Sequence, residues 1–453
     1  MSPRTSPRAN PRQPDTRADG RRAFRPWRLL HADLSAPFPA LPADSALGGV
    51  HLVFWLDDVP LGDAVVPAAQ LPMTAGAVRA LAAGAIAPTV GSLLLERGFA
   101  AQPRDLPEPV VEEPELHAVA ALDAPLARAR ALLAAPVPDT GERLSVVICT
   151  RDRPADLARC LEALDRSVVA PDEVVVVDNA PASGETRRVV DRWPRARYVA
   201  EPRPGLSAAR NAGIRASTGE IVAFTDDDVV VHPTWVARVR RAFADPALLA
   251  MTGLVLPGAL DTEAQVIFEQ ELGGFGQGFR AIDYGPEFYR QMRRRGVPVW
   301  RVGAGANMAF RRRAFALVGE FDERLGAGAA GCSEDSEMWY RLLAAGERCR
   351  YEPTAVVHHH HRADPAALGH QMRQYMRGHV AALLVQYERT RDSGNLIRLL
   401  AQLPRYYAGL VLRGVARGFG RRHRYLWSEI AGSAAGVGYY LRHRRAAPAR
   451  QHP

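Results

Sequence analysis

Three adjacent carboxylates, Asp226, Asp227 and Asp228, follow Thr225 at the end of the apolar run 221–224. Neighbouring like charges repel one another, so we expect a protein that keeps three of them at a strand end to hold a cation there. Strand alternation would turn Asp226 and Asp228 to one side and Asp227 to the other, which makes Asp228 the preferred ligand for Mg²⁺ or Mn²⁺. A bound divalent ion would in turn predict a phosphorylated ligand. The alternative is a solvated acidic turn.

A second pair of carboxylates, Glu334 and Asp335, follows Ser333, a candidate helix cap, and precedes apolar residues at helical spacing. A carboxylate in the first turn of a helix is favoured in its charged form, so it remains available as a base near neutral pH. The alternative is that both carboxylates only complement the helix dipole.

Arg210 and Asn211 follow a turn that leads into a predicted helix. A guanidinium and a helix N-terminus both favour anions, which predicts a contact with a pyrophosphate or a base edge. The alternative is that Arg210 pairs with a nearby carboxylate.

The elements that must position these residues alternate between strands and helices from Leu144 to about Arg362. The predicted strands are 144–150, 173–178, 197–200 and 220–225, and a helix is predicted to begin at Pro154. This rhythm predicts an α/β domain whose parallel sheet is flanked by helices. Ligands bind beyond the carboxyl ends of such strands, where Thr150, Asp178 and Asp226 fall.

Five motifs occur in an order that resembles family 2 glycosyltransferases. They are LSVVICTRDRP (144–154), VVVDN (175–179), GLSAARNAG (205–213), FTDDD (224–228) and ED (334–335). The resemblance covers residues 142–365. It implies a GT-A-like, Rossmann-related sheet flanked by helices, a nucleotide-sugar donor, a Mg²⁺ or Mn²⁺ ion, and inversion at the anomeric carbon.

The resemblance also assigns residues to the donor and the metal. The nucleotide contacts it implies are Thr150, Asp152, Asp178, Arg210, Asn211 and Asp227, with Asn307 beneath the donor sugar and Asp178 at the nucleobase. Asp226 and Asp228 would hold the metal. Asp335 matches the catalytic base, and Glu334 would support it.

A run of four histidines, 358–361, follows a predicted strand in the pattern AVVHHHHR (355–362). The family pattern lays His359 and His361 on motif positions, and alternation places both on one face. His359 is predicted to complete the metal shell and His361 to contact a phosphate, while His358 and His360 face elsewhere.

The remaining chain divides into a disordered tail (1–25), a small α+β domain with a linker (26–138), and a helical C-terminal region (366–453). In the small domain we predict a strand at 51–56, a turn at 57–62, and a helix from Thr74 to Leu95 that is interrupted at Pro88. The aromatic and acidic stretch 265–279 predicts either part of an acceptor site or a loop that packs its aromatic rings into the core.

The C-terminal region mixes apolar residues, arginine clusters and aromatic residues between Asn395 and Arg445. Such helices can lie on an anionic membrane, which would suit a lipid-linked acceptor. The alternative is a helical appendage packed on the catalytic domain.

Composition limits the classes of function. The net charge is +9, all of the basic residues are arginine, and the four cysteines show no CxxC spacing. No nucleic-acid motif accompanies the positive charge, so we expect no nucleic-acid partner. We see no signal peptide and no uninterrupted apolar stretch of ~20 residues. We therefore expect a cytoplasmic protein, with attachment to the inner face of the cell membrane as an alternative.

Together these features predict a metal-dependent, inverting glycosyltransferase with Asp335 as the general base. The donor would be a UDP-, dTDP- or GDP-sugar, and the acceptor a glycan, a lipid-linked molecule or a small molecule. The main alternative is a non-catalytic scaffold that binds nucleotide sugars or glycans. A metal-dependent phosphohydrolase is disfavoured because its histidine and aspartate motifs are missing.

Overall fold

A computed structural model of the protein describes residues 24–94, 99–100, 123–134 and 140–444. The strands are β1 Trp27–Asp33, β2 Gly49–Leu56, β3 Val59–Pro67, β4 Phe99–Ala100, β5 Leu144–Thr150, β6 Glu173–Asn179, β7 Ala196–Glu201, β8 Ile221–Asp226, β9 Val229–Val231, β10 Ala250–Pro257, β11 Ile282–Tyr284, β12 Asn307–Arg311 and β13 Cys349–His359. The predicted linker at 136–138 and almost all of the predicted tail lie outside the described residues.

The α-helices are α1 Ala75–Leu94, α2 Asp123–Leu133, α3 Pro154–Asp165, α4 Glu185–Val190, α5 Leu206–Ala216, α6 Trp235–Ala242, α7 Glu263–Val266, α8 Pro286–Met292, α9 Arg312–Val318, α10 Glu334–Ala344, α11 Pro365–Thr390, α12 Gly394–Ile397, α13 Leu403–Arg417 and α14 Leu426–His443. Two π-helical turns, Ile267–Glu271 and Arg398–Gln402, follow α7 and α12 directly.

One large sheet forms the centre of the molecule, with the strand order β4-β11-β13-β10-β12-β8-β5-β6-β7 and with β9 paired to β13. The pairs among β5, β6, β7 and β8 are parallel, which confirms the predicted α/β architecture. The rest of the sheet is mixed, because β12 runs antiparallel to both β8 and β10. The sequence analysis predicted parallel pairing only for the four strands that became β5 to β8, and it did not predict the antiparallel β12.

Helices cover both faces of this sheet, and the strands are apolar on both sides as a result. All seven residues of β5 are buried, with Val147 in the core on one face and Val146 in the core on the other. Helix α5 approaches β5 closely at Gly213, where a Cβ atom would lie 2.3 Å from Cγ1 of Val147. The short distance from α5 to β5 brings Arg210 of that helix to the carboxyl end of the sheet.

The small domain packs α1 and α2 against a three-stranded sheet of β1, β2 and β3. The sequence analysis did not predict strand β1. The turn between β2 and β3 consists only of Asp57 and Asp58, so it is shorter than the predicted turn at 57–62. The predicted break at Pro88 is wrong, because α1 runs through it. Proline has no N–H group, so the carbonyl of Gly84, four residues earlier, loses its hydrogen-bond donor within the helix. Gly84 and Pro88 both lie on the exposed side of α1, where water can donate to that carbonyl.

Helix α1 is the one helix among the described residues with the length and apolar composition that a membrane crossing needs. Seven of its residues are buried in this structure, including Val78 and Ile86 in the small-domain core. A core helix of a soluble domain meets the same criteria, so the observation is weak evidence for a span.

The small domain and the sheet domain share contacts around β13. The His31 and His358 rings lie 5.6 Å apart, and Trp55 stacks on His232 at 5.4 Å. Asp58 in the β2–β3 turn accepts hydrogen bonds from the Arg238 guanidinium at 3.0 and 3.1 Å.

The C-terminal helices pack on the sheet domain through α11, which leads away from the histidine run. A buried ion cluster joins α11 to the segment before α10: Arg389 contacts Asp322 at 2.9 Å and Glu337 at 3.2 Å, and Arg324 contacts Asp322 at 2.7 Å. Glu388 of α11 lies 3.0 Å from Arg324. This network ties the C-terminal region to the same element that begins with Glu334.

Candidate active site

Three side chains that can bind a metal meet at the carboxyl end of β8. Asp226 ends β8, Asp228 precedes β9, and His359 ends β13. One ligand atom from each lies within 4.8 Å of the other two. Burial, with His361 next in effect, lowers the pKa of His359 to about 3, so its ring is neutral. Two carboxylates and a neutral imidazole are a donor set that fits Mn²⁺ or Mg²⁺.

The middle carboxylate, Asp227, points away from this group, as strand alternation predicts. Its Oδ2 accepts a hydrogen bond from Oγ1 of Thr150 at 2.7 Å, and its Oδ1 accepts one from Arg153 at 3.0 Å. Burial raises the pKa of Asp227 to about 6, to which the charges of Asp228 and Asp226 contribute. Both oxygens are occupied inside the protein, so the predicted nucleotide contact of Asp227 is replaced by a structural role.

Arg153 is a site residue that the sequence analysis missed. Its Nη1 atom donates to Asp227 and also lies 3.1 Å from Oδ2 of Asp228. The available signal was its position between Asp152 and Pro154, immediately past the end of β5. Asp152 itself has a φ of 55° and an exposed side chain, which places it on the rim of the site.

Arg210 occupies the centre of the site and is 2% exposed. Its guanidinium donates to Glu334, to Oδ1 of Asp226 at 3.3 Å and to the carbonyl of Gly305 at 3.3 Å. The alternative considered for this residue, pairing with carboxylates, is what the structure shows. In this structure the Arg210 charge is engaged between the buried Glu334 and the partly exposed Asp226, and its predicted contact with pyrophosphate stays a prediction.

Glu334 and Asp335 begin α10 in different surroundings. Glu334 is buried against Arg210, and its Oε2 atom has no hydrogen-bond partner within the described part of the chain. Asp335 is partly exposed, and its Oδ1 accepts from the backbone of Ser336 at 2.6 Å. Burial raises the pKa of both carboxyl groups, while Arg210 opposes that effect. Ser333 has a φ of 71° and makes no side-chain cap, so its predicted capping role is wrong.

Asp178 and Thr150 lie opposite each other in the β5–β6 register. Oδ2 of Asp178 accepts from the Tyr198 hydroxyl at 3.0 Å, while Oδ1 is buried and unpartnered in the described structure. Burial raises the pKa of this carboxyl. An acceptor without a donor at a strand end suits a ligand N–H group, which is compatible with the predicted nucleobase contact.

Two predicted donor contacts turn out to be core residues. Asn307 is fully buried, donates to two backbone carbonyls and accepts from Nε1 of Trp235 at 2.8 Å. Asn211 is also fully buried and exchanges two 2.9 Å hydrogen bonds with the backbone of Phe321. Their hydrogen-bonding groups are engaged inside the protein, so neither side chain faces a donor sugar or a nucleotide.

The histidine run alternates as predicted, with His359 and His361 on one face and His358 against His31 of the small domain. The predicted phosphate contact of His361 is wrong, because its Nε2 atom lies 3.0 Å from Oε2 of Glu269. Glu269 belongs to the stretch 265–279, and this contact shows that part of the stretch packs against the histidines of the metal-binding group.

Comparison with known proteins finds similarity over the part of the chain that carries Asp226 and Asp228. Residues 145–318 match the model of "Glycosyl transferase family 2", which spans β5 to α9. A "Pre-mycofactocin glycosyltransferase" from Mycobacterium tuberculosis is 30% identical over 241 residues, which are 51% of this chain and 46% of that protein. The "Succinoglycan biosynthesis protein ExoM" of Rhizobium meliloti is 27% identical over 237 residues, 49% of this chain and 68% of that protein.

Among solved structures, "Mannosyltransferase PcManGT from Pyrobaculum calidifontis in complex with GDP-Man and Mn2+" is 20% identical with a TM-score of 0.45. The match covers 71% of this chain and 96% of that one. This chain spans about half the length of the mycobacterial relative. Within the chain, it is residues 145–318 that are similar to the glycosyltransferase family 2 model.

Proposed function

We propose that the protein transfers a sugar from a nucleotide-sugar donor to an acceptor hydroxyl, with inversion at the anomeric carbon. In this reaction the acceptor oxygen bonds to the anomeric carbon, the bond from that carbon to the phosphate oxygen breaks, and a nucleoside diphosphate leaves. A single displacement from the opposite face inverts the configuration. The observation that carries the proposal is that the buried Arg210 guanidinium joins two groups of acids. It contacts Asp226, which lies with Asp228 and His359, and it contacts Glu334, the neighbour of Asp335.

The donor would be held by groups at the carboxyl ends of β5, β6 and β8. Asp178 offers a buried, unpartnered oxygen for a base N–H group, beside the backbone of Thr150. Asp226, Asp228 and His359 would hold a divalent cation, which when bound stabilises the negative charge of the departing diphosphate. Asp152 at the rim is retained as a candidate nucleotide contact.

Asp335 is proposed as the general base, and Glu334 as its support. Glu334 is committed to Arg210, whereas Asp335 is partly exposed and can reach an acceptor. Burial raises the pKa of the Asp335 carboxyl, which makes it a stronger proton acceptor than an ordinary aspartate, and the charge of Arg210 opposes this shift. Arg210 would hold the two acids and Asp226 in one arrangement.

The direct test is a panel of UDP-, dTDP- and GDP-sugars, scored for release of nucleoside diphosphate with Mn²⁺, Mg²⁺ or EDTA. We expect one nucleotide class to be hydrolysed or transferred in a metal-dependent manner. Binding of nucleotide without any turnover, across acceptors that include glycans, lipid-linked sugars and small alcohols, would favour the non-catalytic scaffold instead.

We also propose that the protein is cytoplasmic and contacts the inner face of the membrane through its C-terminal helices. Large apolar side chains are exposed there, among them Leu412, Val415, Phe419 and Trp427, at 63–73% of their full surface. Exposed arginines such as Arg417 lie between them. Apolar side chains interleaved with cations fit an anionic lipid surface, and this would suit a lipid-linked acceptor.

Vesicle co-sedimentation of the full chain tests this surface. Binding to phosphatidylglycerol vesicles should exceed binding to phosphatidylcholine vesicles and should weaken with salt. The variant Phe419→Ser with Trp427→Ser should reduce it, while Val168→Ser, an exposed apolar residue on the sheet domain, serves as the control. Absence of binding by the wild-type protein would refute the membrane proposal without affecting the catalytic one.

A further inference from the structure

A continuous row of polar side chains extends from the metal-binding group into the protein. Nε2 of His359 lies 3.4 Å from Oδ1 of Asp228, and Nδ1 of His359 lies 3.1 Å from Nδ1 of His361. Nε2 of His361 lies 3.0 Å from Oε2 of Glu269. The side chains of His359, His361 and Glu269 are only 11%, 3% and 14% exposed, so water competes little for these contacts.

The hydrogen-bonding roles of the two rings depend on their tautomers, and one arrangement of the protons suits a metal ligand. In that arrangement the Glu269 carboxylate accepts, and Nε2 of His361 carries the hydrogen that the two side chains share. A neutral His361 then has a bare Nδ1, which accepts the Nδ1 hydrogen of His359. His359 is left with a lone pair on Nε2, the atom that faces Asp228, and a metal ligand must present a lone pair.

Two aromatic rings, a π-helical turn and a glycine surround this row. The Phe268 ring packs on His361 at 4.7 Å between centroids, and the Phe275 ring packs on His359 at 5.2 Å. Glu269 lies in the π-helical turn Ile267–Glu271, a distortion often found at functional sites. At Gly274, with a φ of +53°, a Cβ atom would lie 2.6 Å from Oε2 of Glu269. A side chain there would displace the carboxylate.

We propose that Glu269 and His361 are positioning residues that set the tautomer of His359 and so prepare its Nε2 atom to bind the divalent cation. This inference rests on the metal assignment in the proposed function. Loss of an outer partner of a metal-bound histidine typically weakens metal affinity by ~10–100-fold. The stretch 265–279, first considered for the acceptor, would thereby act on the metal and not on the sugar.

The first test measures Mn²⁺ affinity of the full chain by electron paramagnetic resonance of free Mn²⁺, alone and with the nucleoside diphosphate found in the donor screen. Glu269→Ala and His361→Phe should each raise the Kd for Mn²⁺ by ~10-fold or more. Glu269→Gln, which keeps an acceptor, should recover part of that loss. Glu271→Ala, an exposed residue in the same turn, is the matched control and should bind like the wild type.

The second test needs no metal. Long-range ¹H–¹⁵N spectra of protein labelled only at histidine should show His359 protonated at Nδ1 and His361 at Nε2, with the two rings identified through His361→Phe. The inference is overturned if His359 carries its proton on Nε2, or if Glu269→Ala leaves Mn²⁺ affinity unchanged while Asp228→Ala abolishes it. Equal Mn²⁺ affinity in Asp228→Ala and the wild type would instead overturn the metal assignment of the proposed function.

Discussion

Two clusters of acidic and basic side chains lie at opposite ends of the segment that leads into α10. They shift the pKa values of their carboxyl groups in opposite directions. In the candidate active site, burial raises the pKa values of Asp227, Glu334 and Asp335. In the cluster that joins this segment to α11, burial alone would raise the pKa of Asp322, but Arg324 and then Arg389 lower it to about 2.

The difference follows from the number of cations in each cluster. The active site sets Asp226, Asp227, Asp228, Glu334 and Asp335 against Arg153 and Arg210. The other cluster sets Asp322, Glu337 and Glu388 against Arg324, Arg341 and Arg389. One is balanced, three to three, while the other holds five acids and two arginines. This excess of acids agrees with the divalent cation that we propose for the active site.

Removing a metal-facing acid should have the largest effect. Asp228→Ala should abolish Mn²⁺-dependent binding of a nucleoside diphosphate, a loss of ~10²-fold or more, because the diphosphate charge is then poorly compensated. Isothermal titration calorimetry with and without Mn²⁺ measures this. Asp322→Ala, in the balanced cluster, is the comparison variant and should keep the metal dependence if it folds. If folded Asp228→Ala binds the nucleoside diphosphate with unchanged affinity in Mn²⁺, the assignment of the metal site is refuted.

The catalytic base should come next. Asp335→Asn keeps the shape of the side chain but cannot take a proton, so turnover should fall by ~10²-fold or more while donor affinity is preserved. Glu334→Gln should cost less turnover, since Glu334 is assigned a supporting role. Donor affinity and turnover are measured in parallel for both variants. A larger loss in Glu334→Gln would move the proton transfer to that residue.

The raised pKa of Asp227 predicts a pH-dependent stability. Between pH 3.8 and about 6 the folded protein holds a proton that the unfolded chain releases, so stability falls as pH rises through this window. Asp227→Asn has no carboxyl group to titrate, so its free energy of unfolding should not fall in this way. Relative to the wild type, it should therefore become more stable by up to ~3 kcal/mol between pH 4 and pH 7. Urea unfolding in EDTA at pH 4, 5, 6 and 7 gives both curves. Parallel curves would contradict the assignment.

The lowered pKa of Asp322 predicts that the free energy of unfolding changes with pH in the opposite direction, by a slightly smaller amount. Its contribution to stability is present above pH 3.8 and is lost as pH falls towards about 2. Asp322→Asn should therefore cost ~2 kcal/mol at pH 7 and progressively less below pH 4. Urea unfolding at pH 7, 4 and 3 measures this cost. The exposed Asp191→Asn is the control, and a cost for Asp322→Asn that does not shrink in acid would show that the network matters through shape alone.

The sheet and the metal-binding group were predictable because both depend on short local patterns. Continuous apolar runs predicted β5, β6 and β8. The alternation of side chains along a strand predicted that Asp227 points away from Asp226 and Asp228. His359 followed from the family pattern together with the same alternation. These features need no knowledge of which distant residues meet.

Most partners of Arg210, Asn211 and Asn307 were not predictable, because they lie about 50 to 125 positions away in the chain. Asp226, a second acid partner of Arg210, is nearer, at 16 positions. A polar residue in a motif is equally compatible with a ligand contact and with a buried hydrogen bond until the fold is known. Arg153 was missed for the same reason, since only the turn after β8 brings acids to it. The break predicted at Pro88 failed because propensity says nothing about which side of a helix faces water.

Strand β13 presents neighbouring residues to two different parts of the molecule, His358 to the small domain and His359 to the metal-binding group. In most strands a one-residue insertion or deletion exchanges the two faces and destroys both sets of contacts. Here the four consecutive histidines mean that such a slip would still offer an imidazole to each side. The run therefore gives this strand a tolerance to length change during evolution that a single histidine at the metal could not provide.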